Sequence, residues 1–433
     1  MATLSRRQQA ACLALLFGLL LFLLPATGYD APFWITWTSY GFQHGLSRVY
    51  EVPDNNYNPL YHYVLWTYGQ LAGSLPAIAR YHYLLKGFTL IFDFAGAVWA
   101  ASLVAEKDRH LGLTLLLLLN VGYLYNTLIW GQVDAIYTFF VFGAVVLAVQ
   151  QRSVASVLCF VLALATKTQA VIFLPPLLLL WLLLWRRPAQ LLWAAGAGAG
   201  LGLLLLAPFS WAGTYNSLPR IIAINVGAAE RYPQVGMNAY NFWHLLVPSR
   251  LSFVDTLPFA GLSYRGWGLG LFCGSSALAL LPLLLATARQ LRAGPRAAVA
   301  PFPTPLPPPA LPATDLAPDL ALTLLSCGLI PLLFCFFNTQ MHERYWHAAI
   351  LFLAAYAFLR RDYLPYGLAS AAYFLNLENT MRFIGVLAHN SIFFKSWFAA
   401  VLFALVIIIG LVKLYRLAAW RADWHLLQSA RRG

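Results

Sequence analysis

Apolar runs of roughly 20 residues recur along the whole chain, and they restrict its fold more than any other feature. Charged residues make up only 10% of the sequence, whereas a soluble domain carries about 25%. A water-soluble enzyme and a disordered chain are therefore excluded. An outer-membrane barrel is excluded as well, because stretches such as 177–185 are continuously apolar and do not alternate. The pattern predicts an all-α polytopic membrane protein.

We predict about twelve transmembrane helices from these runs. Their expected ranges are 10–28, 83–105, 111–127, 133–150, 153–167, 170–185, 190–211, 266–288, 319–337, 346–360, 363–377 and 396–415. With this count, most of the cations fall in short segments on one face. The positive-inside rule then predicts that this face and both chain termini are cytoplasmic.

Charge and composition also bear on partners and location. The formal net charge is +13, but the cations are scattered between apolar runs and do not form a nucleic-acid-binding face. We therefore expect membrane lipids as partners and no nucleic acid. The excess of Arg over Lys, together with the Leu and Ala content, favours a bacterial source, and hence the bacterial inner (plasma) membrane.

The chain divides into three predicted regions. Residues 1–288 form an N-terminal transmembrane block, in which two long extracytoplasmic loops, 29–82 and 212–265, are rich in Trp, Tyr, Asn and Pro. Residues 289–318 form a proline-rich cytoplasmic linker, because such a segment cannot be helical. Residues 319–433 form a C-terminal transmembrane block.

The first long loop is expected to contain short amphipathic helices. Aromatic residues are favoured at the boundary between membrane and water, which predicts that these helices lie at the interface. The aromatic side chains concerned are Phe33, Trp34, Trp37, Tyr57, Tyr61 and Trp66.

Ionisable residues at membrane depth are costly and usually indicate a site, so the few acidic residues are informative. Asp30 follows the first helix, where it either accepts a proton from a hydroxyl group or caps the next helix. Lys86 and Asp93, seven residues apart, either pair or line a cavity. Asp134 lies in the sequence WGQVD, where it either contributes to a site or caps the fourth helix.

Cationic residues on the same side suggest an anion. Lys167, in the sequence TKTQA, either extends to the lipid headgroups or binds an anion. His342, Glu343 and Arg344 are consecutive and precede aromatic residues. Arg can bind a phosphate through two hydrogen bonds, although these charges can also pair with one another. We predict no metal site, because no paired ligands accompany them.

These motifs, taken together and in order, resemble those of the membrane glycosyltransferases of the C superfamily, which use polyprenyl-phosphate sugars. The greatest similarity is to bacterial relatives of GPI mannosyltransferase II. The resemblance covers about residues 28–345. It rests on Asp30, the segment 56–59 (NYNP), Lys86 with Asp93, the segments 130–134 (WGQVD), 166–170 (TKTQA) and 238–243 (NAYNFW), and the segment 342–345 (HERY).

The resemblance implies a GT-C-like fold and an inverting transfer of a hexose, mannose by the family, to an acceptor hydroxyl on the non-cytoplasmic face. Whether a divalent metal takes part is left open. The acceptor can be a glycan, a lipid or a protein, and the lipid-linked sugar is a substrate; no cofactor is implied. Asp30 matches the catalytic base. His342 and Arg344 would bind the donor phosphate, with Lys167 and Arg382 as further candidates. The implied substrate-cavity residues are Asn56, Tyr57, Lys86, Asp93, Gln132, Asp134, Asn238, Asn241 and Glu343.

One departure from the family pattern concerns the base. The aspartate of the family's D-Y-P-P loop aligns with Asn56, and Asn accepts no proton at neutral pH; Asp54, two residues upstream, is a possible substitute. Two other functions remain open. Intramembrane charges also fit a transporter or flippase of lipid-linked sugars, and the Asn56 departure fits a non-catalytic lipid-binding protein.

Overall fold

The computed structural model of this 433-residue chain describes residues 4–23, 30–183, 187–210, 216–227, 232–293, 319–385 and 391–418. The structure is mostly helical. A small hairpin pairs strands β1 (Pro258–Phe259) and β2 (Leu262–Ser263). The helices are α1 (Arg6–Leu23), α2 (Ala31–His44), α3 (Pro59–Ala72), α4 (Leu75–Arg80), α5 (Lys86–Ser102), α6 (His110–Leu118), α7 (Val121–Tyr125), α8 (Asp134–Val149), α9 (Ser153–Thr166), α10 (Leu174–Trp181), α11 (Pro188–Ser210), α12 (Leu218–Val226), α13 (Phe242–Leu246), α14 (Tyr264–Ala293), α15 (Leu320–Phe337), α16 (His347–Arg360), α17 (Leu364–Met381) and α18 (Ser396–Leu417).

Several of these helices are long and apolar enough to cross a membrane, which supports the prediction of a membrane protein. An α-helix rises about 1.5 Å per residue, so about 20 apolar residues cross the hydrocarbon layer. Six helical segments in the described part of the chain meet this requirement. They are Arg6–Leu23, His82–Ser102, Pro188–Ser210, Tyr264–Arg292, Leu320–Phe337 and Ser396–Leu417.

The predicted helix over 111–127 is broken. α6 ends at Leu118, and α7 with a following π-helical turn (Asn126–Trp130) is bent from it by 57°. Asn120 explains the break, because its side chain accepts a hydrogen bond from the Tyr123 amide and donates to Tyr366 and Ser370 on α17. Counting this bent pair as one span gives seven.

Three further predicted spans lie close to their expected ranges but are too short to be counted as membrane-spanning by length. α8, α9 and the segment Thr168–Trp181 are apolar but shorter than 18 residues. The eleventh predicted helix, 363–377, corresponds to α17, which is continuous from Leu364 to Met381. At the predicted linker, α14 extends to Ala293, beyond the expected end at 288; residues 294–318 lie outside the described part of the chain.

The centre of the bundle is formed by α15 and α16. Every residue of α16 from His347 to Phe358 is buried, and most of α15 is buried as well. A helix that is apolar on all sides belongs in the interior of a bundle. The Trp346 ring, just before α16, stacks on Phe403 of α18 with ring centres 3.7 Å apart. These central helices carry the site loop 338–346 between them.

The first long loop is helical, as expected, but three of its aromatic side chains are buried in the protein. Trp34 of α2 packs edge-on against Trp37 and against Tyr61 of α3, with ring centres 5.2 and 4.9 Å apart. All three are buried. The expectation that these rings lie at the lipid interface is therefore wrong for them. Their packing fixes the start of α2, and with it Asp30.

The second long loop contains α12, α13 and the β1–β2 hairpin. It is connected to the loop after α15 by backbone hydrogen bonds from Ala239 to Met341 and between Gln340 and Gln234. The Trp243 indole also donates to the Phe337 carbonyl, 2.8 Å away. The two segments together form one wall of the cavity described below.

Candidate functional site

A cavity of about 440 Å³ lies where the first loop, the turn after α9, α12, α14 and the loop after α15 meet. Its lining combines cationic and apolar side chains. The cations are Lys167, Arg265 and Arg344. The apolar side chains include Val171, Ile172, Ile224, Leu269, Phe334 and Met341. Such a mixed lining suits a molecule that carries both an anionic group and a hydrocarbon chain.

Lys167 is held in place by a break in the helix. α9 ends at Thr166, and Lys167 has an extended backbone before the next turn. Its ammonium group contacts the Asp134 carboxylate at 2.7 Å, and both side chains are buried. Asn126 also donates to Asp134, at 3.2 Å. Lys167 therefore does not extend to the lipid headgroups. Asp134 is the first residue of α8, and the N-cap of that helix is Val133.

Arg344 is the second cation of the cavity, and its side chain is partly buried. Its guanidinium contacts the fully buried Glu343 carboxylate at 3.3 Å. The Tyr345 ring lies 5.7 Å from this guanidinium and 5.6 Å from the Lys167 ammonium. Because one ring neighbours both charges, Lys167 and Arg344 belong to the same wall of the cavity.

His342 lines the same wall between the rings of Tyr232 and Tyr345. Burial, and then the charges of Arg344 and Lys167, lower the pKa of His342 well below its ordinary value. The imidazole is therefore neutral at neutral pH. It can donate one hydrogen bond to a phosphate oxygen but contributes no positive charge.

The third cation, Arg265, was not expected from the sequence. It opens α14 and contacts the buried Asp255 carboxylate through two nitrogens, at 3.0 and 3.1 Å. Asp255 also accepts hydrogen bonds from Thr339 at 2.6 Å and Gln340 at 2.7 Å. The sequence gives no signal for this group. Along the chain, Asp255 is ten residues from Arg265 and about eighty residues from Thr339 and Gln340.

The three cations share one arrangement. Each lines the cavity and contacts a carboxylate that is fully buried and does not line it: Asp134, Glu343 or Asp255. A buried charge is stable only when it is paired. The carboxylates therefore hold the cations in position while leaving the cavity side of each cation facing the space where a ligand would lie.

Asp30 is connected to this cavity without lining it. Its carboxylate accepts a hydrogen bond from the Gln132 amide nitrogen, and the Tyr57 hydroxyl donates to the Gln132 oxygen at 3.0 Å. Asp30 precedes α2 but makes no side-chain cap. Gly131, with φ of 75°, allows the chain reversal that directs Gln132 inward. The structure thus groups Asp30, Gln132 and Tyr57, and Tyr57 lines the cavity.

The other residues predicted for the site differ in whether they line the cavity. Asn56 lines the cavity, whereas Asp54 is exposed and does not. Lys86 is buried at the start of α5, beside a small space of about 20 Å³ next to Trp34 and Trp130. Lys86 does not line the large cavity.

The remaining predicted residues have structural contacts. Asn241 caps α13 and donates to the carbonyls of Cys335 and Asn338. Asn238 is exposed, and its carbonyl accepts from Asn376 at 2.7 Å. Neither Asn lines the cavity, and Arg382, at the end of α17, does not line it either.

Within the described residues, no three His, Cys, Asp or Glu side chains cluster as a metal site would require. Comparison of the chain with models of known protein families finds no match, and comparison with curated proteins finds none. The functional argument therefore rests on the residues and their geometry.

Proposed function

We propose that this protein is an inverting glycosyltransferase that moves a hexose from a polyprenyl-phosphate donor to an acceptor hydroxyl. The proposed hexose is mannose. The observation that carries the proposal is the cavity wall, where cations paired with buried carboxylates adjoin apolar side chains. A polyprenyl-phosphate sugar has matching chemistry, with one phosphate between a sugar and a hydrocarbon chain. The acceptor is a glycan, a lipid or a protein, and no cofactor is needed.

The proposed step is a single displacement. The acceptor oxygen forms a bond to the anomeric carbon as the bond from that carbon to the phosphate oxygen breaks, and Asp30 receives the acceptor proton. The donor phosphodiester leaves as a phosphomonoester and gains negative charge. Lys167 and Arg344 therefore stabilise the transition state more than the ground state.

The proposal includes an arrangement in the membrane. We infer a GT-C-like fold with twelve spans, both termini cytoplasmic, in a bacterial inner membrane. The cavity then opens at the non-cytoplasmic face. In this arrangement most basic residues lie in short segments on the opposite, cytoplasmic face. The positive-inside rule therefore supports this orientation.

A cysteine map tests the orientation. We expect a cysteine introduced at Asn238, which is exposed near the cavity, to react with an impermeant reagent added to the non-cytoplasmic side. A cysteine at the exposed Glu106 should react only after the membrane is permeabilised. The reverse labelling would overturn the proposed orientation and the transfer scheme with it.

Replacing Arg344 by Gln should weaken donor binding by about tenfold to hundredfold. A hydrogen bond to a charged group contributes about 1.5–3 kcal/mol, and about 1.4 kcal/mol corresponds to tenfold in affinity. Binding of polyprenyl phosphate to the purified protein measures the effect. Arg382→Gln is the matched control, because Arg382 does not line the cavity. Equal affinities for the two variants would remove Arg344 from the phosphate site.

The reaction itself is tested with purified protein in nanodiscs. Polyprenyl-phosphate mannose and polyprenyl-phosphate glucose, each labelled in the sugar, are added with or without a membrane-lipid extract. Consumption of one donor that requires the extract supports the transferase and identifies its sugar. Binding without consumption contradicts it.

A transporter or flippase of lipid-linked sugars is the second candidate. Fully buried ionisable side chains inside the bundle, such as Asp93 and His347, favour it. A flippase would move labelled donor across a proteoliposome membrane without cleaving it. A non-catalytic lipid-binding protein would do neither.

A further inference from the structure

The Gln132 side chain connects the proposed base to the cavity. Gln132 is fully buried and does not line the cavity itself. Its amide nitrogen donates to Asp30 Oδ2, and its amide oxygen accepts from the Tyr57 hydroxyl at 3.0 Å. Both ends of this buried amide therefore have a partner, as a polar group in a protein interior requires.

These two partners allow only one orientation of the Gln132 amide. An ionised carboxylate accepts hydrogen bonds and donates none, so the amide nitrogen must face Asp30. The amide oxygen then faces Tyr57, whose hydroxyl can donate to it. An amide accepts no proton at neutral pH. Gln132 can therefore hold the Asp30 carboxylate without competing for the proton that the base receives.

The backbone of Gln132 is held by the π-helical turn (Asn126–Trp130) that precedes it. The amide groups of Gly131 and Gln132 both donate to the Asn126 carbonyl. A π-helical turn is rare and frequently occurs at a functional site. In this chain it places the Gln132 side chain beside the start of α2, which Asp30 precedes.

Tyr57 is held from its own side by the first loop. Its ring packs edge-on against the Trp34 ring, with centres 4.8 Å apart, and its carbonyl accepts from the Tyr50 hydroxyl at 2.9 Å. The Lys167 ammonium lies 5.9 Å from the centre of the Tyr57 ring. Tyr57 thus adjoins a cation of the cavity with its ring and bonds to Gln132 with its hydroxyl.

We propose that Gln132 is a positioning residue for the base Asp30, and that Tyr57 holds the Gln132 amide in the required orientation. This inference rests on the proposed glycosyl transfer. The hydrogen bond from Gln132 engages Oδ2 of Asp30, which leaves Oδ1 to receive the acceptor proton. A base must lie within hydrogen-bond reach of that proton, so a small displacement of Asp30 slows the reaction.

The test measures kcat and the donor KM of the purified full chain in nanodiscs, with polyprenyl-phosphate mannose and the membrane-lipid extract. Gln132→Met removes both hydrogen bonds at similar side-chain length. We expect its kcat to fall by about tenfold to hundredfold. Its donor KM and its affinity for polyprenyl phosphate should stay within about twofold of the parent, because Gln132 does not line the cavity.

Tyr57→Phe removes one hydroxyl and keeps the ring beside Lys167. We expect its kcat to fall by about threefold to tenfold, the effect of one hydrogen bond. In the Gln132→Met background the same change should have no further effect, because Tyr57 acts through Gln132. Tyr63→Phe is the matched control and should retain the parent kcat, since its hydroxyl donates to the Leu205 carbonyl away from the cavity.

Several results would overturn the positioning role. They are a parent-like kcat in Gln132→Met, a loss that appears in the donor KM or in donor binding, and additive losses in the double variant. If Gln132→Met does not fold, Tyr57→Phe alone decides, and a parent-like kcat in that variant overturns the role of the hydrogen-bonded chain. An unaltered chain that consumes no donor overturns the proposed transfer itself, which differs from parent-like variants of an active chain.

Discussion

An Asp30→Asn variant will lose glycosyl transfer by about 10²- to 10⁴-fold while still binding the donor, if Asp30 is the base of the proposed reaction. The amide has the same shape but accepts no proton at neutral pH. Asp30 is hydrogen-bonded to Gln132 and does not line the cavity, so the change leaves the proposed donor-binding residues Lys167 and Arg344 unaltered. Single-turnover release of labelled sugar and separate binding of polyprenyl phosphate measure the two effects.

Asp54→Asn is the matched comparison, because it makes the same change in the same loop. Asp54 is exposed, away from the cavity, so we expect near-normal transfer. If Asp54→Asn loses transfer and Asp30→Asn retains it, Asp54 is the base. Loss of donor binding in Asp30→Asn would instead assign Asp30 to the donor site.

Breaking the ion pair between Lys167 and Asp134 should have the largest effect on stability. Lys167→Met leaves a buried carboxylate without its cation, and Asp134→Leu leaves the buried ammonium without its anion. Removing one partner of a buried pair costs about 3–5 kcal/mol, whereas replacing both by apolar residues of similar size is often neutral. We therefore expect each single variant to be strongly destabilised and the double variant to recover most of the loss. Unfolding in mixed micelles measures this.

The double variant also separates structure from function. It should fold and yet bind polyprenyl phosphate more weakly, because Lys167 lines the cavity. Glu51→Gln serves as the control, since its partner Arg48 is exposed and such pairs contribute little. Normal stability of both single variants would show that the pair is not buried as described.

The apolar pattern predicted the positions of many helices well. The expected ranges 153–167, 319–337 and 396–415 correspond to Ser153–Thr166, Leu320–Phe337 and Ser396–Leu417. Each is a continuous apolar run with clear limits. The break after α6 could not be predicted in this way, because it depends on the contact of Asn120 with α17, about 250 residues later.

The sequence predicted that Lys167 and Arg344 belong to the site, but it did not predict which carboxylate pairs with each of them. Lys167, His342 and Arg344 stand out as cations in an apolar sequence, and the structure brings them to one cavity. Their partners are set by tertiary contacts, as in the pair of Lys167 with Asp134. Arg265 stands beside the expected start of a helix, where a cation is unremarkable, and only the fold brings it to the cavity wall.

The pairing of every cavity cation with a buried carboxylate has a consequence for product release. Among the described residues, the wall presents three positive groups, and their charges are balanced by those of Asp134, Glu343 and Asp255, while His342 is neutral. In the proposed reaction, a phosphomonoester formed there carries more negative charge than the donor but meets no surplus of positive charge from the described residues. In the proposed cycle, departure of the product leaves the three cation–carboxylate pairs intact, so the next donor can enter the same cavity.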